Sequence, residues 1–386
     1  MNCRFLLLVV CFLIKTAVPS DVHTIPLVHR IHSATERREF KAAALQKPKA
    51  TDGGRFFFNA YPRDYIALNI AIGTPPQQFT VAVECGQLYS WVLGTDFDLI
   101  QSGQPTYNST ASSTSQIGDW FQGASGELQL YGDMYTDIFR IAPSVTIESQ
   151  QFGDVNQIFG AMDYEPFGNR ELSGAVGLLW HEEAGGDQPL ILSIFDALNV
   201  TERKLTVWLG PPKPPSQGVP DAALTIGGLD TTHCSSSVNS IPWDAYLGFL
   251  VSRFVSASFS YDIDKPWTLV DTGYPLIAFE FDVYRAVYQQ INPDYDWDLG
   301  LLTTPCSSAA SLPSWVFTIG SKDYSVPPSN YLVDIDIDGG QTCAVALELM
   351  GDHTFQNIVL GNPFVRAFCI VYDVDNGTIG FAEVLS

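Results

Sequence analysis

The sequence predicts an all-β architecture that repeats itself once, and three observations carry the prediction. From Tyr65 onward, short apolar runs alternate with Gly, Pro, Asn and Ser breaks, the pattern of sandwiches and barrels whose strands are about four to eight residues long. Two stretches share one arrangement of apolar strand, acid, small residue, glycine and apolar strand: 79–92, around Glu84-Cys85-Gly86, and 268–279, around Asp271-Thr272-Gly273. Each is followed at a similar distance by an apolar pair closed with glycine, Ala175-Val176-Gly177 in one half and Val359-Leu360-Gly361 in the other.

Taken in order, residues 1–20 read as a secretory signal, with Arg4, the apolar run Phe5 to Ile14 and the small residues Ala17-Val18-Pro19-Ser20. That run is too short to span a bilayer as a helix, which takes about 20 residues. Residues 21–57 carry Arg30, Arg37, Arg38, Lys41, Lys47, Lys49 and Arg55 against Asp21, Glu36, Glu39 and Asp52. A basic strip ahead of an acidic body is expected to lie in an acidic cleft at neutral pH and loosen as carboxylates protonate. A disordered linker is the alternative reading of those residues.

Tyr65 to Ile72 reads as a strand, Gly73-Thr74-Pro75-Pro76 as a turn, and Gln78 to Val83 as the strand that delivers Glu84. A Ser/Thr/Gly-rich loop and a hairpin through Gly118–Gly126 follow. Ser173 to Trp180 crosses the first acid loop, and its glycines suit a close backbone approach. Gln188 to Leu198 has the apolar spacing of a core-packing helix, and Gly210-Pro211-Pro212-Lys213-Pro214-Pro215 breaks the sheet. In the second half Gly248 to Phe259 and Trp267 to Val270 read as strands and Phe281 to Ile291 as a helix. Ile358 to Val365 is the second crossing, and the chain closes with strands Phe368 to Asp373 and Thr378 to Glu383.

Composition narrows the function classes. The chain has 386 residues, 46% hydrophobic and 16% charged, with formal net charge −22; it is long enough for a large core, and its charge argues against nucleic acid or anionic membrane as partner. No Cys-x-x-Cys occurs and the histidines are scattered, so neither a metal nor another cofactor is expected. Gly-x-Ser-x-Gly and phosphate-binding glycine loops are absent. Asn108-Ser109-Thr110, Asn199-Val200-Thr201 and Asn376-Gly377-Thr378 are glycosylation sequons. Secretion favours disulfides among Cys85, Cys234, Cys306, Cys343 and Cys369 once Cys3 and Cys11 leave with the signal, and the odd count leaves one thiol.

From about Asp64 to the C-terminus the chain resembles the pepsin-like aspartic peptidases. The resemblance runs through Ala71-Ile72-Gly73-Thr74-Pro75-Pro76-Gln77, Trp91-Val92, Gly227-Gly228-Leu229-Asp230, Val270-Asp271-Thr272-Gly273 and Val359-Leu360-Gly361-Asn362-Pro363-Phe364-Val365-Arg366. It implies a bilobal fold of two pseudo-twofold related β-barrel lobes, 58–232 and 233–386, with a peptide-binding cleft between them, in a monomer. Residues 21–57 then resemble an inhibitory pro-segment, a partner in cis, and the protein is expected outside the cell or in an acidic lumen. The resemblance makes Asp271 and Glu84 the paired carboxylates, has Thr272 hold the opposite loop, and matches Cys306 and Cys343 to a second-lobe disulfide. It puts the segments of Cys234 and Cys369 in the sheet that joins the lobes, so these two are expected to pair and Cys85 to stay free and buried.

Departures from the family pattern cluster at the loops. Glu84 and Cys85 stand where the family has Asp and Thr, Gln87 where it has Ser, and Tyr274-Pro275 where small hydroxylated residues are usual. Counting back along the hairpin flap puts Asp119 at the position of the customary tyrosine, with Trp120 or Phe121 able to replace it beside Trp91. Glutamate keeps the acid but pushes its carboxylate outward by about 1.5 Å, one carbon–carbon bond. Three readings stay open: a peptide-binding member with catalysis lost or strongly reduced, an acid endopeptidase working with a Glu84/Asp271 pair, and a structural or storage protein.

Overall fold

The computed structural model describes residues 22–30, 65–97, 103–125, 128–141, 145–159, 172–180, 189–211, 221–244, 248–263, 267–297, 299–335, 341–350 and 358–385. The signal stretch 1–20 and residues 31–57 of the basic strip lie outside them.

Strands dominate. The first half supplies β1 (His23–Arg30), β2 (Tyr65–Ile72), β3 (Gln77–Glu84), β4 (Trp91–Leu93), β5 (Gln116–Ser125), β6 (Leu128–Ile141), β7 (Val145–Phe159), β8 (Gly174–Gly177), β9 (Lys204–Leu209) and β10 (Ala222–Ile226). The second half supplies β11 (Cys234–Pro242), β12 (Val251–Ser256), β13 (Phe259–Asp262), β14 (Thr268–Val270), β15 (Ile277–Phe279), β16 (Asp294–Asp296), β17 (Leu301–Pro305), β18 (Trp315–Ile319), β19 (Lys322–Val326), β20 (Leu332–Asp334), β21 (Thr342–Val345), β22 (Leu347–Leu349), β23 (Ile358–Leu360), β24 (Phe368–Asp373) and β25 (Thr378–Val384). A 13-stranded sheet in the order β11-β25-β24-β9-β10-β1-β2-β3-β8-β4-β7-β6-β5 draws on both halves, and three four-stranded sheets complete the second.

The internal repeat is visible in the pairing. β3 runs parallel to β8, which pairs antiparallel with β4; β14 runs parallel to β23, which pairs antiparallel with β15. All four residues of β8 are buried, as expected of a strand with a parallel neighbour and covered faces. One helix, Leu190–Leu198, buries Leu190, Ile191, Ile194 and Phe195 and ends at Asn199 in the left-handed conformation. Its counterpart Phe281–Ile291 buries Val283, Val287 and Ile291, spaced by four residues on one helical face.

The start of the basic strip is a strand of the large sheet. Residues 23–30 form β1, paired with β10 from His23↔Ile226 to Leu27↔Ala222 and with β2 from Val28↔Ala67 to Arg30↔Tyr65. Ile25 and Leu27 are buried at 3% and 1% exposure, so period-two burial, rather than charge, fixes this piece. Cys234–Cys369 and Cys306–Cys343 are both bonded, and Cys85 is free and buried. No helix among the described residues is long and apolar enough to cross a membrane.

Candidate active site

Each acid loop leaves the C-terminal end of a strand and is pinned by the crossing segment beside it. In the first half Leu178 N–H donates to Glu84 O at 3.0 Å and Leu179 N–H to Gln87 O at 2.8 Å. In the second, Asp271 N–H donates to Leu360 O at 3.1 Å and Asn362 N–H to Tyr274 O at 2.8 Å. The crossings touch backbone to backbone: a β-carbon on Gly177 would lie 2.5 Å from Gln87 O, and one on Gly361 would collide with the carbonyls of Tyr274 and Leu276.

The two loops meet. The Thr272 hydroxyl accepts from Cys85 N–H at 3.1 Å and donates to Val83 O at 2.9 Å, so one side chain ties both halves together. The reciprocal position holds Cys85, 2% exposed. Burial pushes its thiol up to about 12; a hydrogen bond with Thr272 works against this, and the charges of Asp271 and Glu84 add to it. Cys85 is therefore a neutral packing group and no thiolate nucleophile. Tyr372 is buried as well, its phenol held well above the ordinary range by burial first and by Cys85 and Asp271 after it.

Asp271 and Glu84 occupy related places but not equivalent ones. Asp271 Oδ1 accepts from Gly86 N–H at 3.3 Å and from Gly273 N–H at 2.8 Å. A β-carbon on Gly86 would lie 2.7 Å from the carboxyl carbon of Asp271, and one on Gly273 would lie 2.6 Å from Cγ of Glu84. The extra methylene of Glu84 thus fills the place that its partner gives to a carboxyl carbon, and the first carboxylate begins one bond further out.

The flap hairpin is β5 paired with β6. Alternation along β5 sends Trp120 and Phe121 to opposite faces. Phe121 is 1% exposed, in one apolar cluster with Trp91, Leu93, Leu130 and Val155. Trp120 is 62% exposed and sits 6.0 Å from the Tyr131 ring on the outer face. Asp119 is exposed as well. Trp91 therefore has an aromatic neighbour from the flap in Phe121, whose ring meets Tyr89 edge-on at 5.9 Å.

Sequence reasoning missed Tyr89, and it missed the partner of Tyr274. The Tyr274 phenol donates to Glu348 Oε2; no local pattern marks Glu348, which β22 brings in from far along the chain. Of the sequon asparagines, Asn199 and Asn376 are exposed, though Asn376 Nδ2 donates to Asp373 Oδ2 at 2.9 Å, while half-buried Asn108 accepts at Oδ1 from Ala111 N–H at 3.2 Å and from the Thr110 hydroxyl at 2.7 Å.

Comparison with known proteins agrees with this geometry. The model of a family described as eukaryotic aspartyl protease matches residues 64–384. Aspartic protease 1 of Caenorhabditis elegans is 30% identical over 342 residues, covering 85% of this chain and 84% of the relative. Probable vacuolar protease A of Trichophyton verrucosum is 28% identical over 322 residues, 81% of this chain and 77% of the relative. Pepsin A of Sus scrofa is 28% identical over 329 residues, 82% and 80% of the respective chains.

Proposed function

The chain belongs to the eukaryotic aspartyl protease family, and from that premise we propose a secreted or acidic-lumen member that keeps a peptide-binding cleft while peptide-bond hydrolysis is lost or strongly reduced. Hydrolysis by paired carboxylates needs both groups about 3 Å apart sharing one proton, since like charges that close cannot both ionise. The ionised member takes a proton from water while the protonated member polarises the peptide carbonyl, and no covalent intermediate forms. Asp271 is suited to one role by its two backbone N–H donors, which favour the carboxylate.

The observation that carries the reading is the methylene of Glu84 standing where the opposite half has a carboxyl carbon. A displacement on the scale of a bond costs on the order of 100-fold when two groups must act on one water. Cys85 in place of threonine removes a second hydroxyl tie, because a thiol is a weak hydrogen-bonding group. Secretion is supported by the apolar run Phe5 to Ile14, and an acidic lumen by the names of relatives such as the vacuolar protease. In this reading Asn199 is the exposed sequon asparagine with no side-chain tie among the described residues, and the basic strip beyond β1 is the cis partner of the cleft.

A second reading, an acid endopeptidase using Glu84 and Asp271 together, is favoured by the acid retained at both positions and by the contact between the two loops. Incubating the protein with a denatured protein substrate near pH 4, with and without a transition-state peptide mimic, separates the two. Mimic binding without turnover supports the first reading. Turnover that disappears in Asp271→Asn replaces it with the second, and neither binding nor turnover points to a structural or storage role.

A further inference from the structure

Tyr274 follows Gly273 directly, where the family resemblance leads to a small hydroxylated residue, so what it builds belongs to this chain. Its phenol donates to Glu348 Oε2. Glu348 lies on β22 opposite Ala278 of β15 and is half-buried. Among the described residues no lysine or arginine is seen to pair with it: Arg203, Lys204, Arg253, Arg285 and Lys322 engage other acids, and Arg140 and Arg366 donate to the carbonyls of Gly73 and Asn330.

Aromatic rings gather around this carboxylate. The helix Phe281–Ile291 contributes Tyr284 and Tyr288, with ring centroids 5.8 Å apart. Burial first, then Tyr288, Glu348 and Tyr295, push the Tyr284 phenol up, so these groups share one electrostatic neighbourhood. Arg285, on the same helix as Tyr284, is engaged elsewhere: its guanidinium bonds Asp282 at 3.1 Å and lies 5.3 Å over Phe281. Tyr295 packs edge-on against Trp297, which is 79% exposed.

A carboxylate without a basic partner among the described residues, hydrogen-bonded by one phenol and close to others, is the chemistry that accepts an ammonium or guanidinium through charge and ring quadrupole together. We propose that Glu348 and Tyr274, with Tyr284 and Tyr295 beside them, form a specificity element that favours peptides placing a lysine or arginine side chain on the second-lobe side of Asp271. The proposal rests on the peptide-cleft reading above and adds the class of peptide.

The test is fluorescence anisotropy on the full chain at pH 6. It uses reduced-amide peptides, which cannot be cleaved, with lysine, norleucine or glutamate scanned through successive positions. At one position lysine is expected to bind about 3- to 30-fold tighter than norleucine, with glutamate weakest and the gap narrowing in high salt. Glu348→Gln should erase the lysine preference, and Tyr274→Ser should shrink it more than Tyr274→Phe. Equal binding of lysine and norleucine at every position, or a preference that survives Glu348→Gln, overturns the specificity element while the cleft reading stands. Absence of binding by every peptide overturns the cleft reading and the specificity element with it. Should a variant fail to fold, the wild-type ranking and its salt dependence decide alone.

Discussion

Shortening Glu84 by one methylene, Glu84→Asp, tests the site most directly. The methylene Cγ of Glu84 stands 2.6 Å, and its carboxyl carbon 3.1 Å, from the point a β-carbon on Gly273 would occupy. Across the pseudo-twofold, Asp271 already has its carboxyl carbon at the corresponding 2.7 Å from Gly86. Aspartate at position 84 brings the carboxyl carbon back by one bond, about 1.5 Å. With about 100-fold lost for a misplacement of about 1 Å, or about 2.7 kcal/mol of barrier, the variant should gain roughly 100-fold in kcat/KM. The assay is initial-rate cleavage of an internally quenched peptide near pH 4, and Glu84→Asp/Asp271→Asn should lose the whole gain. A wild-type rate within threefold of the variant's, or a gain that survives loss of Asp271, would refute the reasoning from side-chain length.

Four further outcomes follow from the contacts described for these loops and for Asp137. Gly361→Ala forces a β-carbon into the carbonyls of Tyr274 and Leu276 and should cost at least about 3 kcal/mol in denaturant unfolding. Gly86→Ala, whose β-carbon presses first on the Asp271 side chain, should instead weaken binding of a transition-state mimic with less change in Tm than Gly361→Ala. Cys85, buried and neutral with its thiol near 12, should resist alkylation until the chain unfolds, as read by mass spectrometry, and Cys85→Thr should raise stability by about 0.5 to 1.5 kcal/mol through a second hydroxyl tie. Burial works against ionisation of Asp137, but bonds from Thr114, Ser112, Tyr107 and Ile138 N–H outweigh it and hold the carboxyl below its ordinary 3.8. Stability from that group is complete above the unfolded value and is lost as pH falls through the folded one. Asp137→Asn should therefore cost about 1 to 3 kcal/mol at pH 6, and its gap from wild type in urea unfolding should narrow below about pH 4.

Much of the fold was legible because its signals are local. Tyr65–Ile72, Phe281–Ile291 and Phe368–Asp373 have the ranges that runs bounded by turn residues indicate, and the repeated acid-x-Gly loops marked both halves of the site. The long strands β6 and β7 were not legible, because register shifts near Tyr131 and Asp137 interrupt their period of two and polar residues fill their open face. β1 was hidden by its own composition: His23, His29 and Arg30 read as part of a charged strip, while only Ile25 and Leu27 betray the buried face. Whether Trp120 or Phe121 turns inward depends on a shift between Ile117 and Trp120 that no single residue encodes. Glu348 could not be found beside Tyr274, since only the β15–β22 pairing joins them.

β1 has a consequence for any processing of this chain. It is held along both edges, by β10 on one and by β2 on the other, with five strands beyond it to one side and seven to the other. Withdrawn, it would leave a trough about 9.5 Å wide, two strand spacings, and the great sheet would part into two. A nick between residues 30 and 65 would cut the tether yet leave the ribbon 23–30 seated, until some other strand took its berth. Severing the leader and evicting it are separate events, and the second is an exchange of strands.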